Sequence, residues 1–117
     1  MSSFEPMELP EEALPPQDVR LIEARIEPWP DRRKVRVHLT LTPFSTRPNL
    51  NAVVHDTEGN EVCSAHVIET MDSRMVFTLH LRGESQDGKY ILDVEVFYED
   101  IGAVDHRSVD FEIHPLE

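Results

Sequence analysis

The side chains best suited to chemistry in this chain are six histidines and a single cysteine, Cys63. Cys63 and His66 are three residues apart, so a regular strand would point them to opposite faces and prevent a thiol–imidazole pair. His38 and His80 fall on the outward side of two alternating runs, but zinc usually takes three or four ligands and no third one is evident there. We therefore predict a buried structural thiol, solvent-facing histidines and no enzymatic activity.

Residues 56–60 (Asp-Thr-Glu-Gly-Asn) hold closely spaced oxygen ligands, as calcium loops do. They lack the Asp/Asn alternation and the distal bidentate glutamate of an EF-hand loop. Gly59 is better explained by the positive φ that a hairpin turn requires. The four glycines are dispersed, so there is no phosphate-binding loop, and no serine lies in a nucleophile-elbow pattern. We predict neither a cofactor nor a metal.

Acidic residues dominate the charge of the chain: 23 Asp and Glu face 11 Lys and Arg, and the formal net charge is −12 over 117 residues. This sign argues against nucleic acid and against anionic membrane surfaces, which attract Lys and Arg. It is compatible with a basic protein partner or a cation. One cysteine allows no internal disulfide. Because the start shows no secretory signal and no apolar run approaches the ~20 residues of a membrane span, we expect a cytoplasmic location.

Residues 1–17 are predicted to form a disordered, acidic, proline-rich tail, because they contain four prolines and four glutamates but no basic residue. An alternative is a short docking peptide whose anchors are Phe4, Met7, Leu9 and Leu14. Residues 18–117 are predicted to form one domain, since the chain is too short for two domains with sizeable cores.

Seven runs after the tail alternate apolar and polar side chains, which is typical of strands that bury one face. These runs are 18–27, 34–42, 50–56, 61–70, 74–81, 88–99 and 105–114. Turn-forming residues separate them, and no stretch has a helical period, so the pattern predicts an all-β sandwich or barrel. In the run 61–70 two parities compete for the core: Cys63, Ala65 and Val67 against Val62, His66 and Ile68.

Residues 87–92 (Asp-Gly-Lys-Tyr-Ile-Leu) resemble the turn and tyrosine corner that open the sixth strand of an immunoglobulin-like or fibronectin type III-like sandwich. Residues 50–62 are similar to the hairpin after its third strand. The resemblance implies a seven-stranded antiparallel immunoglobulin-like β-sandwich, a Tyr90 phenol bonded to the backbone of the preceding loop, and Leu92 in the place of a cysteine. The chain lacks the disulfide pair and a third-strand tryptophan. Such domains mostly bind or scaffold, although a fold does not fix a function.

In the resembled fold, the third, sixth and seventh strands share a sheet, and the outward parity of the last two carries our candidate site. Ile91 and Phe97 are apolar anchors within an acidic rim, an arrangement that suits a partner with a basic surface. The predicted partner-binding residues are Ile91, Asp93, Glu95, Phe97, Glu99, Asp110 and Glu112. We predict a non-enzymatic module that binds another protein or a second copy of itself.

Two alternatives remain open at this stage. The first is a small-ligand site, most plausibly for carbohydrate, in which a sugar stacks on Trp29 beside Asn49 and Asn51. The second is a divalent-cation site that uses surface histidines or clustered carboxylates. Each has less support in the sequence than the protein-binding face, because the first rests on one aromatic residue and the second lacks a ligand motif.

Overall fold

The computed structural model describes residues 13–30, 33–81 and 88–113. Its strands are β1 Leu21–Pro28, β2 Lys34–Leu41, β3 Asn49–Asp56, β4 Glu61–Val67, β5 Arg74–His80, β6 Gly88–Tyr98 and β7 Gly102–Ile113, preceded by a short 3₁₀ helix, Pro16–Asp18. All neighbouring strands are antiparallel. They form a three-stranded sheet, β1-β2-β5, and a four-stranded sheet, β4-β3-β6-β7. The predicted seven-stranded antiparallel all-β sandwich is confirmed.

The two sheets enclose one apolar core, which alternation along each strand supplies. The inward side chains of β2 and β6 are almost completely buried: Val35, Val37, Leu39 and Leu41 on β2, and Tyr90, Leu92, Val94, Val96 and Tyr98 on β6. On β4, Cys63 is buried and Ala65 and Val67 pack against the core, which settles the parity of that run. The expectation of a buried cysteine that forms no disulfide is confirmed.

Strand β4 is three residues shorter than the run 61–70 from which it was predicted. It ends at Val67, and Ile68 beyond it is 69% exposed. Glu69 then has a φ of +49°, a left-handed conformation that interrupts an extended strand. The backbone N–H of Thr70 donates to the carbonyl oxygen of Pro48 at 3.0 Å. This contact with the β2–β3 connection stops the strand although the apolar pattern continues.

The strand order defines two ends of the sandwich, which we call the upper and lower poles. The upper pole carries the β2–β3, β4–β5 and β6–β7 connections, and the lower pole carries the β1–β2 and β3–β4 connections. Near the upper pole, β7 clasps the edge strand β1. The carboxylate of Asp105 accepts the backbone N–H of Leu21 at 2.8 Å, and the Arg107 guanidinium donates to the carbonyl oxygens of Leu21 and Ile22 at 2.9 and 3.3 Å. One side of the sandwich is thereby closed by contacts between the two sheets.

Residues 1–12 of the predicted tail, including Phe4, Met7 and Leu9, lie outside the described residues. Leu14 forms a bridge with Phe44: its N–H donates to the carbonyl oxygen of Pro43 at 3.0 Å and its carbonyl oxygen accepts the N–H of Ser45 at 2.9 Å. The division of the chain into a tail and a domain remains a prediction. Within the described ranges, no helix has the length and apolar character needed to cross a membrane.

Candidate interaction surface

The candidate site lies on the solvent-facing side of the sheet β4-β3-β6-β7, which we call the outer face. As predicted, β3, β6 and β7 share this sheet; β4 extends it at one edge. The outward side chains at the centre of the face are His66 on β4, Asn51, Val53 and His55 on β3, Ile91, Asp93, Glu95 and Phe97 on β6, and His106, Ser108 and Asp110 on β7. Those of β6 are half-buried, because strands flank β6 on both sides.

Asp93 is held by three side chains from both neighbouring strands. His55 on β3 places Nε2 at 3.3 Å from Asp93 Oδ2, and His106 on β7 places Nε2 at 3.5 Å from Asp93 Oδ1. The Ser108 hydroxyl, also on β7, donates a hydrogen bond to Asp93 Oδ1. The side chain of Asp93 is 33% exposed, so this carboxylate has lost part of its hydration, and the Ser108 hydroxyl supplies a hydrogen bond in its place. Its position is therefore fixed before any partner arrives.

A second polar chain runs across the outer face beside the first. The Asn51 amide donates to Glu95 Oε1 at 3.3 Å, and its Oδ1 lies 2.5 Å from Nδ1 of His66. Glu95 thus receives a donor from β3, which is itself oriented by a histidine of β4. The two chains are adjacent, because Asp93 and Glu95 are successive outward residues of β6.

The register between β6 and β7 keeps the acidic residues of the predicted site from facing one another. Asp93 lies opposite Ser108 and Glu95 opposite His106, while Asp110 is opposite Ile91. Glu112 is opposite Lys89, and Glu99 lies in the turn after β6 instead of on the strand. Like charges directly opposite each other on neighbouring strands would destabilise a sheet, and this register avoids that placement between β6 and β7. The face is a mixed polar surface with carboxylates, not a continuous acidic field.

The two predicted apolar anchors lie on β6, one on each side of the two polar chains. Ile91 lies between His55 and Asp110, and Phe97 lies between Asn49 and Ala103, each in the register of β6 with its neighbours. Both side chains are half-buried. They are six positions apart along the strand, which corresponds to about 20 Å. They belong to one face without touching each other.

A pocket of about 380 Å³ adjoins Ile91 near the lower pole. It is lined by Thr57 of the β3–β4 turn and by two facing segments, 89–91 of β6 and 110–112 of β7. Two of its lining residues, Tyr90 and Phe111, stack with ring centroids 5.5 Å apart. Tyr90 is buried, and the loop to which its phenol was expected to bond lies outside the described residues.

The residues of the carbohydrate alternative are dispersed. Trp29 lies at the lower pole, where Lys34 Nζ and Arg36 Cζ approach its ring centroid to 4.5 and 5.2 Å. Asn49 begins β3 at the upper pole. The length of an eight-residue strand, about 25 Å, therefore separates Asn49 from the pole at which Trp29 lies. It is 6% exposed, and its Oδ1 accepts the backbone N–H of Glu69 at 2.8 Å. Asn51 is on the outer face, so the structure does not bring the three residues together.

The histidines proposed for a cation also stand apart. His38 pairs in register with Val76, and His80 pairs with Lys34, so the two imidazoles are not adjacent although their strands are. His38 Nε2 instead lies 2.9 Å from a carboxylate oxygen of Glu27, and this hydrogen bond lowers the pKa of Glu27. Within the described ranges, no group of three or more His, Cys, Asp or Glu side chains is arranged to hold a metal ion.

The segment considered as a calcium loop is a hairpin turn. Asp56 Oδ1 accepts the backbone N–H groups of Glu58 and Asn60, each at 2.9 Å, and Gly59 has a φ of +86°. The N–H of Asn60 is the main reason that the pKa of Asp56 is lowered. The predicted positive φ of Gly59 is confirmed, and the Asp56 carboxylate closes the turn through its hydrogen bonds.

Sequence reasoning missed the histidines His55, His66 and His106 as partners of the central carboxylates. Alternation along β3 does indicate that Asn51 and His55 point outward, opposite in parity to the buried Ala52 and Val54. Which side chains of β4, β6 and β7 they meet depends on the strand register, for which periodicity gives no information.

Comparisons with known proteins agree with the fold and leave the family open. No protein-family model matches the chain, and no curated protein matches it. Among solved structures, it is similar to a glycosyl hydrolase family 2 member from Bacteroides cellulosilyticus, with a TM-score of 0.66 and 12% identity over 81% of this chain and 15% of that one. It is also similar to a β-glucuronidase from Bifidobacterium dentium, with a TM-score of 0.64 and 15% identity over 84% of this chain and 18% of that one.

A β-glucuronidase from Ruminococcus gnavus gives a TM-score of 0.55 with 9% identity, over 82% of this chain and 16% of that chain. Identities this low show a shared fold alone. In all three similarities the chain spans less than a fifth of the hydrolase's length. What it resembles is therefore one sandwich-like part of each of these larger chains.

Proposed function

We propose that this chain is a non-catalytic, immunoglobulin-like or fibronectin type III-like sandwich that binds another protein through its outer face. The split of seven strands into sheets of three and four, with β6 between β3 and β7, supports the finer fold assignment. The similarity to segments that make up 14–18% of glycosyl hydrolase chains supports an accessory role. A fold by itself does not specify a partner, so the proposal depends on the outer face.

The observation that carries the proposal is the ordered polar centre of this face between two half-buried apolar side chains. Asp93 and Glu95 are already held by neighbouring side chains. Binding would therefore immobilise few rotamers, which lowers the entropic cost of association. Ile91 and Phe97 supply apolar area on either side. A face of four strands and the length of β6 measures about 19 by 35 Å, close to the ~800 Å² that each partner contributes to a standard interface.

The partner we expect is a protein with a basic surface. Asp110 and Glu112 on β7 are exposed, and the chain carries a net charge of −12. Attraction between opposite charges would speed encounter and select the partner more than it would strengthen the complex. The same charge opposes association with a second copy, so we favour a different protein. We also propose a cytoplasmic location, in which the single cysteine would stay reduced.

The test is an affinity purification from the source organism with three baits: wild type, Phe97→Lys and Val76→Lys. Val76 is 55% exposed on the outward side of β5, in the other sheet, so it controls for loss of apolar surface and gain of charge. Circular dichroism and thermal unfolding establish that each bait is folded. A protein retained by wild type and Val76→Lys but lost from Phe97→Lys supports the proposal. Equal recovery by all three folded baits would show that the outer face is ordinary solvated surface.

A carbohydrate site on Trp29 has weaker support. Two cationic side chains approach the ring of Trp29, and the polar residues named with it lie elsewhere. The measurement that would favour this site is quenching of tryptophan fluorescence by added oligosaccharide. If the Lys34 side chain forms part of the site, the quenching should be absent in a Lys34→Ala control.

A further inference from the structure

The pocket at the lower end of the outer face contains more negative than positive groups. On the outward side, Ile91 faces Asp110 across the β6–β7 pair, and Lys89 faces Glu112. Asp110, Glu112 and Lys89 are exposed, and within the described ranges none of them forms an ion pair or a side-chain hydrogen bond. The lining therefore offers two carboxylates and one ammonium around an apolar wall.

The size and the lining of this pocket together define the ligand that it fits. A volume of about 380 Å³ is near the lower end for small-molecule sites and suits a single long side chain. A suitable group has an aliphatic stem to cover Ile91 and a cationic head for the carboxylates. Arginine has both, since its stem packs on apolar surface while its head stays polar. Its planar guanidinium also matches carboxylate geometry better than the compact ammonium of lysine.

We infer that the pocket lined by Ile91, Asp110 and Glu112 receives an arginine side chain of the partner protein. This inference rests on the proposed function and specifies the chemistry of the partner. The pocket is continuous with the outer face through Ile91, and Phe97 lies about 20 Å further along β6. A partner would thus contact the face at an arginine on one end and at an apolar group on the other.

The probe for this test is N-acetyl-L-arginine N-methylamide, titrated into the ¹⁵N-labelled full chain and followed by amide chemical shifts. We expect saturable shifts, with a dissociation constant on the order of millimolar for so small a ligand, confined to Thr57 and to residues 89–91 and 110–112. The uncharged isostere N-acetyl-L-citrulline N-methylamide should leave these amides unchanged. Raising the salt concentration should weaken binding, because both carboxylates are exposed.

A pair of variants with equal charge change separates the pocket from the overall field of the acidic protein. Asp110→Asn with Glu112→Gln is expected to weaken binding of the probe about fivefold, as for the loss of exposed ion pairs. The control, Glu69→Gln with Asp72→Asn, removes two exposed carboxylates at the upper pole and should change the affinity by less than about twofold.

Three results would overturn the inference: no saturable shifts, shifts spread over acidic residues of the whole chain, or equal binding of the citrulline compound. An equal loss of affinity in both double variants would do so as well. None of these results decides the proposed function, because Phe97→Lys lies outside the pocket and tests the face separately. Conversely, arginine binding with a Phe97→Lys bait that retains every protein would support the pocket and refute the wider interface.

Discussion

Removing the Asp105 carboxylate tests whether β7 stabilises the irregular start of β1. The register of β1 against β2 shifts between Leu21 and Glu23, so a bulge interrupts the regular ladder there. Leu21 is 3% exposed, and its N–H finds an acceptor in Asp105 Oδ2 at 2.8 Å. Asp105→Ala would leave this buried donor without its charged acceptor. It also removes the bond from the His106 N–H to Asp105 Oδ1 at 2.9 Å.

The expected loss in the free energy of unfolding for Asp105→Ala is about 1.5–3 kcal/mol, the range for hydrogen bonds to a charged group. With a urea m-value of about 1.5 kcal/mol/M, the denaturation midpoint would fall by about 1–2 M. Trp29 fluorescence and far-ultraviolet circular dichroism together report the transition. Asp110→Ala is the matched control, since it removes an exposed aspartate from the same strand and should cost less than about 0.5 kcal/mol.

The Arg107 side chain provides a second test of the same clasp. Arg107→Met keeps most of the aliphatic stem but loses both bonds to the carbonyl oxygens of Leu21 and Ile22, and should cost about 1–2 kcal/mol. Since both side chains hold one bulge, the double variant should fall short of additivity by at least about 0.5 kcal/mol. If Asp105→Ala costs no more than Asp110→Ala, or if the two clasp variants add fully, the bulge is held by something else and the reasoning is wrong.

Three further variants test the turns and the tyrosine at the end of β6. Gly59→Ala should cost about 1–2 kcal/mol in chemical denaturation, because a Cβ at a φ of +86° is strained even though it meets no atom within 4 Å; Gly59→Asn should cost less, and the opposite order would contradict this origin. Because the pKa of Asp56 is lowered in the fold, its contribution is complete above about pH 4 and is lost as the pH falls through the lowered pKa, so the difference in Tm between wild type and Asp56→Asn should shrink on acidification. Tyr98→Phe removes a hydroxyl that donates to the Thr46 carbonyl oxygen at 2.7 Å and should cost about 1 kcal/mol. Burial raises the pKa of Tyr98, so wild type should lose more stability than this variant above about pH 10, a difference that unfolding curves at pH 8 and 11 would measure.

Alternation was sufficient to predict the seven strands because each of them buries one side in a single core. The inward side chains of β2 and β6 follow the predicted parity along their whole length. The end of β4 was wrong by three residues because its cause is not local. The left-handed Glu69 and the bond from Thr70 to Pro48 depend on how the β4–β5 connection meets the β2–β3 connection. The apolar residue Ile68 therefore extended the predicted strand beyond its true end at Val67.

The candidate site was predictable as a set of outward residues on β6 but not as a set of contacts. A bulge between Val96 and Phe97 shifts the pairing of β6 with β7 by one residue. Counted from the turn without this bulge, Arg107 would stand opposite Asp93, whereas Ser108 does so in the structure. A shift by one position reverses the parity of every following pair, so contacts across the strands cannot be read from composition. The histidine partners of the outer face were missed for this reason.

The placement of the two poles determines where this sandwich is best tethered to a label or a surface. Leu14 meets Phe44 at the upper pole, whereas Ile113 ends β7 at the lower pole, about 40 Å away by the length of that strand. A group attached at Glu112 would lie in the lining of the pocket and block its mouth. A group attached at the exposed Ser45, beside Phe44, is at the opposite end and leaves that mouth open. Immobilisation at the upper pole should therefore preserve binding that immobilisation at the lower pole would obstruct.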